Sequence, residues 1–389
     1  MLRPDQIAQR PEDVGIEPAR LAALFARAER DVVDGTLPSA QVAVARHGQL
    51  AGVRTFGRAR QGGADAPATD ATLYSVFSVT KAAIAVSIWQ LLEAGKLRLE
   101  ERVADVIPEF GTNGKDVITV EQLILLIGGF PYAPFHPDHW SDRQQRLAAF
   151  RKWRLNWEPG SRYEYHPTAA HWVLAEIIER RSDEDYRAYV RAHVTGPMGL
   201  DEFFLGLPPE QDHRVADVCY VGQLTEPPGG WKDVTPDAIL QLNRPELRRI
   251  GIPGGGAVTS AAELALFYQT LLNGGVTPDG TRILEAATID DATRVRTQDR
   301  HRDPLLDIPV NRALGVVVAG GDGRAHLRGF GHAVSPRAFG HGGAGGQVAW
   351  GDPVTGISVG YCTNGFVDWL TAGRRTTAIS TLAAQCVAG

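Results

Sequence analysis

Apolar residues recur at helical spacing through residues 18–34, at Leu21, Leu24, Phe25 and Ala28, and the pattern stops near Gly35. From residue 40 to 57 it changes to alternation around a turn at His47-Gly48, which predicts a hairpin. A second helical stripe, Ile84, Ile88, Leu91 and Leu92, runs through residues 78–94 and ends at Gly95, the residue type that most easily closes a helix in the left-handed conformation. Ser78 therefore falls in the first turn. Residues 96–310 read mainly as helices, among them 120–126, 171–180, 186–193 and 260–272, separated by Gly- and Pro-rich loops. The last of these opens with Ser260-Ala261-Ala262-Glu263, a capping box, just after Gly254-Gly255-Gly256. After residue 312 the strand pattern returns at 314–319, 346–350 and 357–363, and an amphipathic stretch over 368–386 predicts a closing helix.

Strands near both ends with helices between them predict an α+β fold, in which one antiparallel sheet is built from the two termini and flanked by helices. Residues 10–80 and 311–389 are expected to form that discontinuous sheet domain, and residues 81–310 a mainly helical inserted domain carrying the site loops. Loops 128–140 and 221–234 are long enough to line a site. Their aromatic residues Phe130, Tyr132, Phe135, Trp140 and Trp231 suit an apolar pocket wall, or equally plain packing.

The chain has 389 residues, of which 43% are hydrophobic and 22% charged, the composition of a globular protein with a real core. With a formal net charge of −5 and no basic block, nucleic acid is not the expected partner. No stretch has the apolar length that spans a bilayer, and the first residues lack a signal-like apolar core, so a cytoplasmic location without a membrane partner is expected. Cys219, Cys362 and Cys386 are odd in number and scattered, which fits reduced thiols better than a disulfide framework.

The candidate chemistry begins at Ser78-Val79-Thr80-Lys81. A serine hydroxyl becomes a nucleophile when a base takes its proton, and residues three apart on a helix share a face, so Ser78 and Lys81 can touch. At Pro159-Gly160-Ser161-Arg162-Tyr163-Glu164-Tyr165-His166-Pro167 a turn delivers Tyr165 just before a helix. Its phenol can carry a proton if a cation depresses its pKa, and Lys81 is the expected cation. A third element, Gly340-His341-Gly342-Gly343-Ala344-Gly345-Gly346, lets backbone N–H groups approach a ligand closely.

In that order the three elements resemble the serine β-lactamase and penicillin-binding-protein superfamily, and within it most of all the family VIII carboxylesterases, which are close to class C β-lactamases. The resemblance spans nearly the whole chain. It implies Ser78 as nucleophile, Lys81 and Tyr165 sharing the proton transfers, and backbone N–H groups of Ser78 and Ala344 as an oxyanion hole. It also implies substrate contacts from His341, Gly342 and Gly343, to which the pocket aromatics Phe130, Tyr132 and Trp231 are added, and no cofactor or metal.

Two departures bear on substrate. The Tyr-x-Asn motif is here Tyr165-His166-Pro167, which removes an amide that would hold an acylamino group, and His341 stands where the family has the lysine of Lys-Thr-Gly. Histidine is largely neutral at pH 7, whereas a lysine would hold a substrate carboxylate. The expected function is hydrolysis of small, short-chain carboxylic esters through an acyl-enzyme. The alternatives are a β-lactam, D-amino-acid peptide or amide hydrolase or an acyltransferase of the same fold, and a catalytically silent scaffold, the last motivated also by Leu126 where relatives often carry His. Oligomeric state is left open.

Two motifs read as decoys. Gly356-Ile357-Ser358-Val359-Gly360 matches the nucleophile elbow, but that motif needs strand, turn and helix, and Ser358 lies inside a β-like run. His136 and His139 sit in a Pro-containing loop with no helix to present both to one metal.

Overall fold

A computed structural model describes residues 2–387 other than 224, 228–229 and 232–234. Its centre is a seven-stranded sheet. In chain order the strands are β1 (Ser39–Arg46), β2 (Gln49–Gln61), β3 (Ala64–Pro67), β4 (Val317–Val318), β5 (Phe339–Gly343), β6 (Gln347–Gly351) and β7 (Ile357–Thr363). They are arranged β3-β2-β1-β7-β6-β5-β4, with every neighbouring pair antiparallel. The N-terminal hairpin thus joins the C-terminal meander through β1 and β7, where Ala40 pairs with Thr363 and Arg46 with Ile357. His47 and Gly48 both take positive φ at the hairpin turn, the geometry that matches strand twist.

The alternation in the sequence sorts side chains between two faces. Val42, Val44, Val348, Trp350, Val359 and Tyr361 face a core shared with α1 (Pro18–Val33) and α5 (Trp369–Ala384). Ala43, Ala45, Ala349 and Cys362 face the larger core, which includes α2 (Lys81–Glu93), α3 (Ala169–Ser182) and α4 (Ala261–Leu272). Small residues on that face let α4 lie close: a Cβ on Gly360 would come within 2.1 Å of the Ala261 carbonyl oxygen. Thus α4 packs on the sheet although it lies within residues 81–310.

Several expected elements are modified. Ser78 sits in a 3-10 turn, Phe77–Thr80, and regular α-helix begins only at Lys81. The stretch expected as one helix over 186–193 is a four-residue helix, Tyr186–Tyr189, that widens into a π-type turn at Val190–Thr195. The strand expected over 314–319 pairs only at Val317–Val318. The capping box is half made: Ser260 accepts from Glu263 N, but the Glu263 carboxyl turns instead to Glu202 N at 2.7 Å.

A three-stranded sheet of Tyr74–Ser75, Ala257–Thr259 and Phe204–Leu205 sets the position of the Ser78 turn. Tyr74–Ser75 feeds into the turn, and Thr80 Oγ1 accepts from Ala257 N at 2.9 Å. Packing makes a direct prediction. Gly360→Ala forces β7 away from α4 and is expected to lower unfolding stability by about 1–3 kcal/mol. Gly373→Ala, in α5 where a Cβ meets nothing within 4 Å, is expected to be neutral or to stabilise by up to about 1 kcal/mol through helix propensity. Denaturant titration of both variants checks the pair.

Candidate active site

Ser78 is held on a strained turn. Phe77, immediately before it, is buried with φ +49°, a left-handed conformation that costs a non-glycine residue roughly 1–3 kcal/mol. Its ring is pinned edge-on by Phe366 at 5.2 Å between centroids. As the second residue of a 3-10 turn, Ser78 has no helical acceptor for its N–H. Ala344 opens the short turn Ala344–Gly346 after β5, and its N–H is left over for the same reason. The two segments meet closely because Gly343 has no side chain; a Cβ there would lie 2.4 Å from the Val76 carbonyl oxygen.

Lys81 is fully buried. Its Nζ lies 3.1 Å from Ser78 Oγ, 2.9 Å from the Pro167 carbonyl oxygen and within hydrogen-bond distance of the Gly254 carbonyl oxygen. No carboxylate is among these partners. Burial, and after it the positive charge of Arg312, hold the amine well below the ordinary lysine range. An ammonium would find three oxygen acceptors here but no counter-ion, whereas a neutral amine can give its two N–H groups to the two carbonyls and turn its lone pair to the Ser78 hydroxyl. The triplet Gly254-Gly255-Gly256 makes this possible, since a Cβ on Gly254 would stand 2.9 Å from the Pro167 oxygen and 3.4 Å from Nζ.

Tyr165 flanks the same hydroxyl. Lys81 Nζ lies 5.1 Å from its ring centroid, Arg312 Cζ 5.8 Å, and the His341 ring 6.2 Å. Burial pushes the phenol above its ordinary value, only partly offset by Arg312 and by a hydrogen bond with Ser78. That bond lies outside good geometry, because Tyr165 Oη is otherwise without a partner. Where the sequence pointed to Lys81 as the cation acting on this phenol, the charge that opposes burial here is that of Arg312.

His341, on β5, is buried, and burial followed by the positive charge of Arg312 holds its imidazole well below the ordinary histidine range. Its Nδ1 donates to the Gly342 carbonyl at 2.6 Å, which leaves the Nε2 lone pair facing Arg312 Nη1 at 3.5 Å. His166, next to Tyr165, is a buttress: its Nδ1 donates to Glu164 O at 2.7 Å and its Nε2 accepts from Phe130 N at 3.2 Å, with its pKa lowered by burial to about 4.

The structure therefore brings Ser78, Lys81, Tyr165, His341, Gly343 and Ala344 into one cluster, and Gly342, Gly343 and Ala344 line its adjoining cavity. Trp231 lines that cavity too, while residues 232–234 of its loop lie outside the described residues. Phe130 does not reach it. Its ring is fully buried against Phe110 and Trp153, because a large apolar side chain beside other aromatics gains more from packing than from a wet wall. Tyr132 is half exposed and gives its hydroxyl to Glu164 at 2.6 Å. Ser358 is fully buried in β7, its hydroxyl donating to Ala265 O and accepting from Gln269, and is no nucleophile.

Sequence reasoning passed over Arg312. It is 3% exposed, forms no ion pair among the described residues, and leaves Nε and Nη2 without partners. A permanent buried cation beside a serine-lysine pair repels a proton on that lysine.

The Beta-lactamase family model matches residues 25–383. The chain belongs to the β-lactamase family. It is 30% identical over 305 residues to an esterase/β-lactamase, LipL, of Mycobacterium tuberculosis, covering 73% of this chain and 67% of LipL. It is 28% identical over 259 residues to penicillin-binding protein 4 of Amycolatopsis lactamdurans, covering 65% of this chain and 64% of that one. A penicillin-binding-protein homologue from Caulobacter crescentus superposes with a TM-score of 0.82 at 28% identity, covering 96% of this chain and 99% of its own. A family VIII carboxylesterase shares the fold with a TM-score of 0.77 at 23% identity, covering 94% and 98%. The β-lactamase-like α+β fold read from the sequence is thus that of this β-lactamase-family protein.

Arg312 yields a prediction with two readouts. Replacing an unpaired buried cation by a similar apolar chain removes a desolvation cost, so Arg312→Met is expected to unfold at an equal or higher temperature than the wild type. Losing the like charge makes Lys81 easier to protonate, which raises its pKa. The base is then lost at higher pH, so the acid limb of Ser78 labelling by a fluorophosphonate moves upward in Arg312→Met and stays near the wild-type position in Arg312→Lys. Labelling rates across pH, with melting curves, check both.

Proposed function

We propose that this β-lactamase-family protein is a serine carboxylesterase working through an acyl-enzyme. The observation that carries the reading is the Lys81 amine, bonded to two carbonyl oxygens and 3.1 Å from Ser78 Oγ with no carboxylate partner. In this mechanism Lys81 takes the Ser78 proton as Oγ attacks the ester carbonyl carbon. The oxyanion is held by the N–H groups of Ser78 and Ala344, each worth roughly 3–4 kcal/mol of barrier. Collapse breaks the bond to the alcohol oxygen, which leaves with a proton passed from Lys81 through Tyr165. Water then attacks the acyl-enzyme, with its proton taken by the same pair, and frees the acid and Ser78.

Support for esters comes from what the site lacks. Pro167 spends its carbonyl on Lys81 and offers no amide to an acylamino group, and His341 is neutral. The name of LipL, an esterase/β-lactamase, agrees with this reading. One observation favours a second reading, hydrolysis of a β-lactam or D-amino-acid peptide: Arg312 supplies a buried, unpaired cation beside His341, where a substrate carboxylate would be welcome.

Hydrolysis of p-nitrophenyl butyrate by wild type and variants, with a chromogenic cephalosporin in parallel, tests the proposal. Ser78→Ala and Lys81→Met are expected to lose at least about a thousandfold in kcat. Tyr165→Phe is expected to lose about a hundredfold or more. Butyrate activity surviving in Ser78→Ala contradicts the mechanism, and a cephalosporin turned over faster than every ester selects the second reading.

A further inference from the structure

Beside the oxyanion strand lies a cavity of about 1160 Å³. It begins at Gly342, Gly343 and Ala344, passes over Phe366 and Tyr220, and follows α5 from Trp369 to Leu382. Fourteen residues of helix make that wall about 20 Å long. Its surface is mostly apolar. Leu305, Leu306, Leu327, Trp369 and Leu370 stand around it, and they are five of the twelve exposed large apolar side chains among the described residues. Apolar exposure gathered at one place, continuous with a catalytic element, is the mark of a ligand groove rather than of ordinary surface scatter.

Which half of an ester would enter it follows from where the proton carriers are. Neither Ser78 nor the proton carriers Lys81 and Tyr165, which must reach the departing alcohol oxygen, line the cavity, and neither do His341 and Arg312. Of the proposed catalytic groups only Ala344, whose N–H faces the carbonyl oxygen in the proposed mechanism, lines it. The alcohol therefore leaves on the Tyr165 side, and the groove opens on the acyl side. Phe366 forms its floor at that end and also packs on Phe77, so the chain would start directly beside the nucleophile's turn.

We infer that this cavity seats the acyl chain of the substrate and that the protein prefers acyl chains well beyond butyryl, with the first carbons over Phe366 and the distal carbons along α5. The inference rests on the esterase reading and extends it, replacing the short-chain range that the sequence suggests. Each methylene buried in such a groove contributes to binding the transition state, so kcat/KM is expected to rise about threefold per added methylene.

The test uses two ester series below their micellar concentrations. One varies the acid, from p-nitrophenyl acetate through butyrate and octanoate to dodecanoate; the other varies the alcohol, from methyl to octyl acetate, followed by acid release. A rise through octanoate in the first series and a flat second series is the expected result. Two variants away from the catalytic groups fill or wet the groove. Gly373→Phe adds a ring where nothing lies within 4 Å, and Leu306→Asp charges an exposed wall position. Both are expected to cut octanoate turnover about tenfold or more while leaving acetate within about twofold, the loss expected when several methylenes are denied burial. A first series that is flat or falls beyond butyrate, or a rise confined to the alcohol series, overturns the inference and leaves the esterase reading intact. If no ester in either series is hydrolysed although Ser78 is labelled by a fluorophosphonate, the esterase reading fails and the inference with it.

Discussion

The amine of Lys81 draws together three stretches of chain that are far apart in sequence. It meets the hydroxyl of Ser78, the carbonyl of Pro167 and the carbonyl of Gly254 at one buried point. A protonated lysine there would want three acceptors and a counter-ion, and it has no counter-ion. Burial and Arg312 both push toward the neutral form, and the neutral form fits the partners it has. Much of the local architecture serves this point. The three-stranded sheet holds the Ser78 turn against Ala257, the glycines at 254–256 let that backbone approach Nζ and Phe77, and α3 follows directly on Pro167.

Around this centre the site has two unlike sides. Toward Tyr165 and His341 lies a cationic region governed by Arg312, whose charge finds no acidic side chain among the described residues. Toward Ala344 and Phe366 lies a broad apolar cavity. Between them runs β5, where His341 faces Arg312 and Gly343 lets the strand press against Val76. The strained φ of Phe77 is the local cost of presenting Ser78 at that junction.

How much of this was legible depended on the range of each signal. Ser78 and Lys81 are three residues apart, so helical spacing alone places them together, and the Pro-Gly turn before Tyr165 marks itself. The apolar run around Val42 and Val44 and the turn at His47-Gly48 mark the hairpin, but β1 is buried on both faces and its sequence does not say which residues meet which core. Arg312 left no such trace, because its partners lie 147 or more residues upstream or 29 downstream and one arginine among many has no pattern. The glycines at 254–256 read as a loop, since the backbone they approach belongs to other segments. Phe130 and Trp231 both looked like pocket wall; burial separates them, and aromatic content does not carry burial. The 3-10 start at Phe77–Thr80 was hidden because apolar periodicity does not distinguish a tight first turn from a regular one.

The proton transfers at Ser78 depend on Lys81 resting as a neutral amine. The chain has five lysines, so 15N spectra of lysine-labelled protein are sparse enough to follow each side-chain nitrogen through a pH titration. The signal lost in Lys81→Met identifies the residue and separates it from Lys115, whose pKa is lowered by burial to about 8. Lys81 is expected to titrate well below the ordinary lysine range and to show neutral-amine character already near pH 7. A Lys81 signal that stays protonated up to the pH where exposed lysines titrate would contradict it, and would leave Tyr165 or another group to take the proton from Ser78.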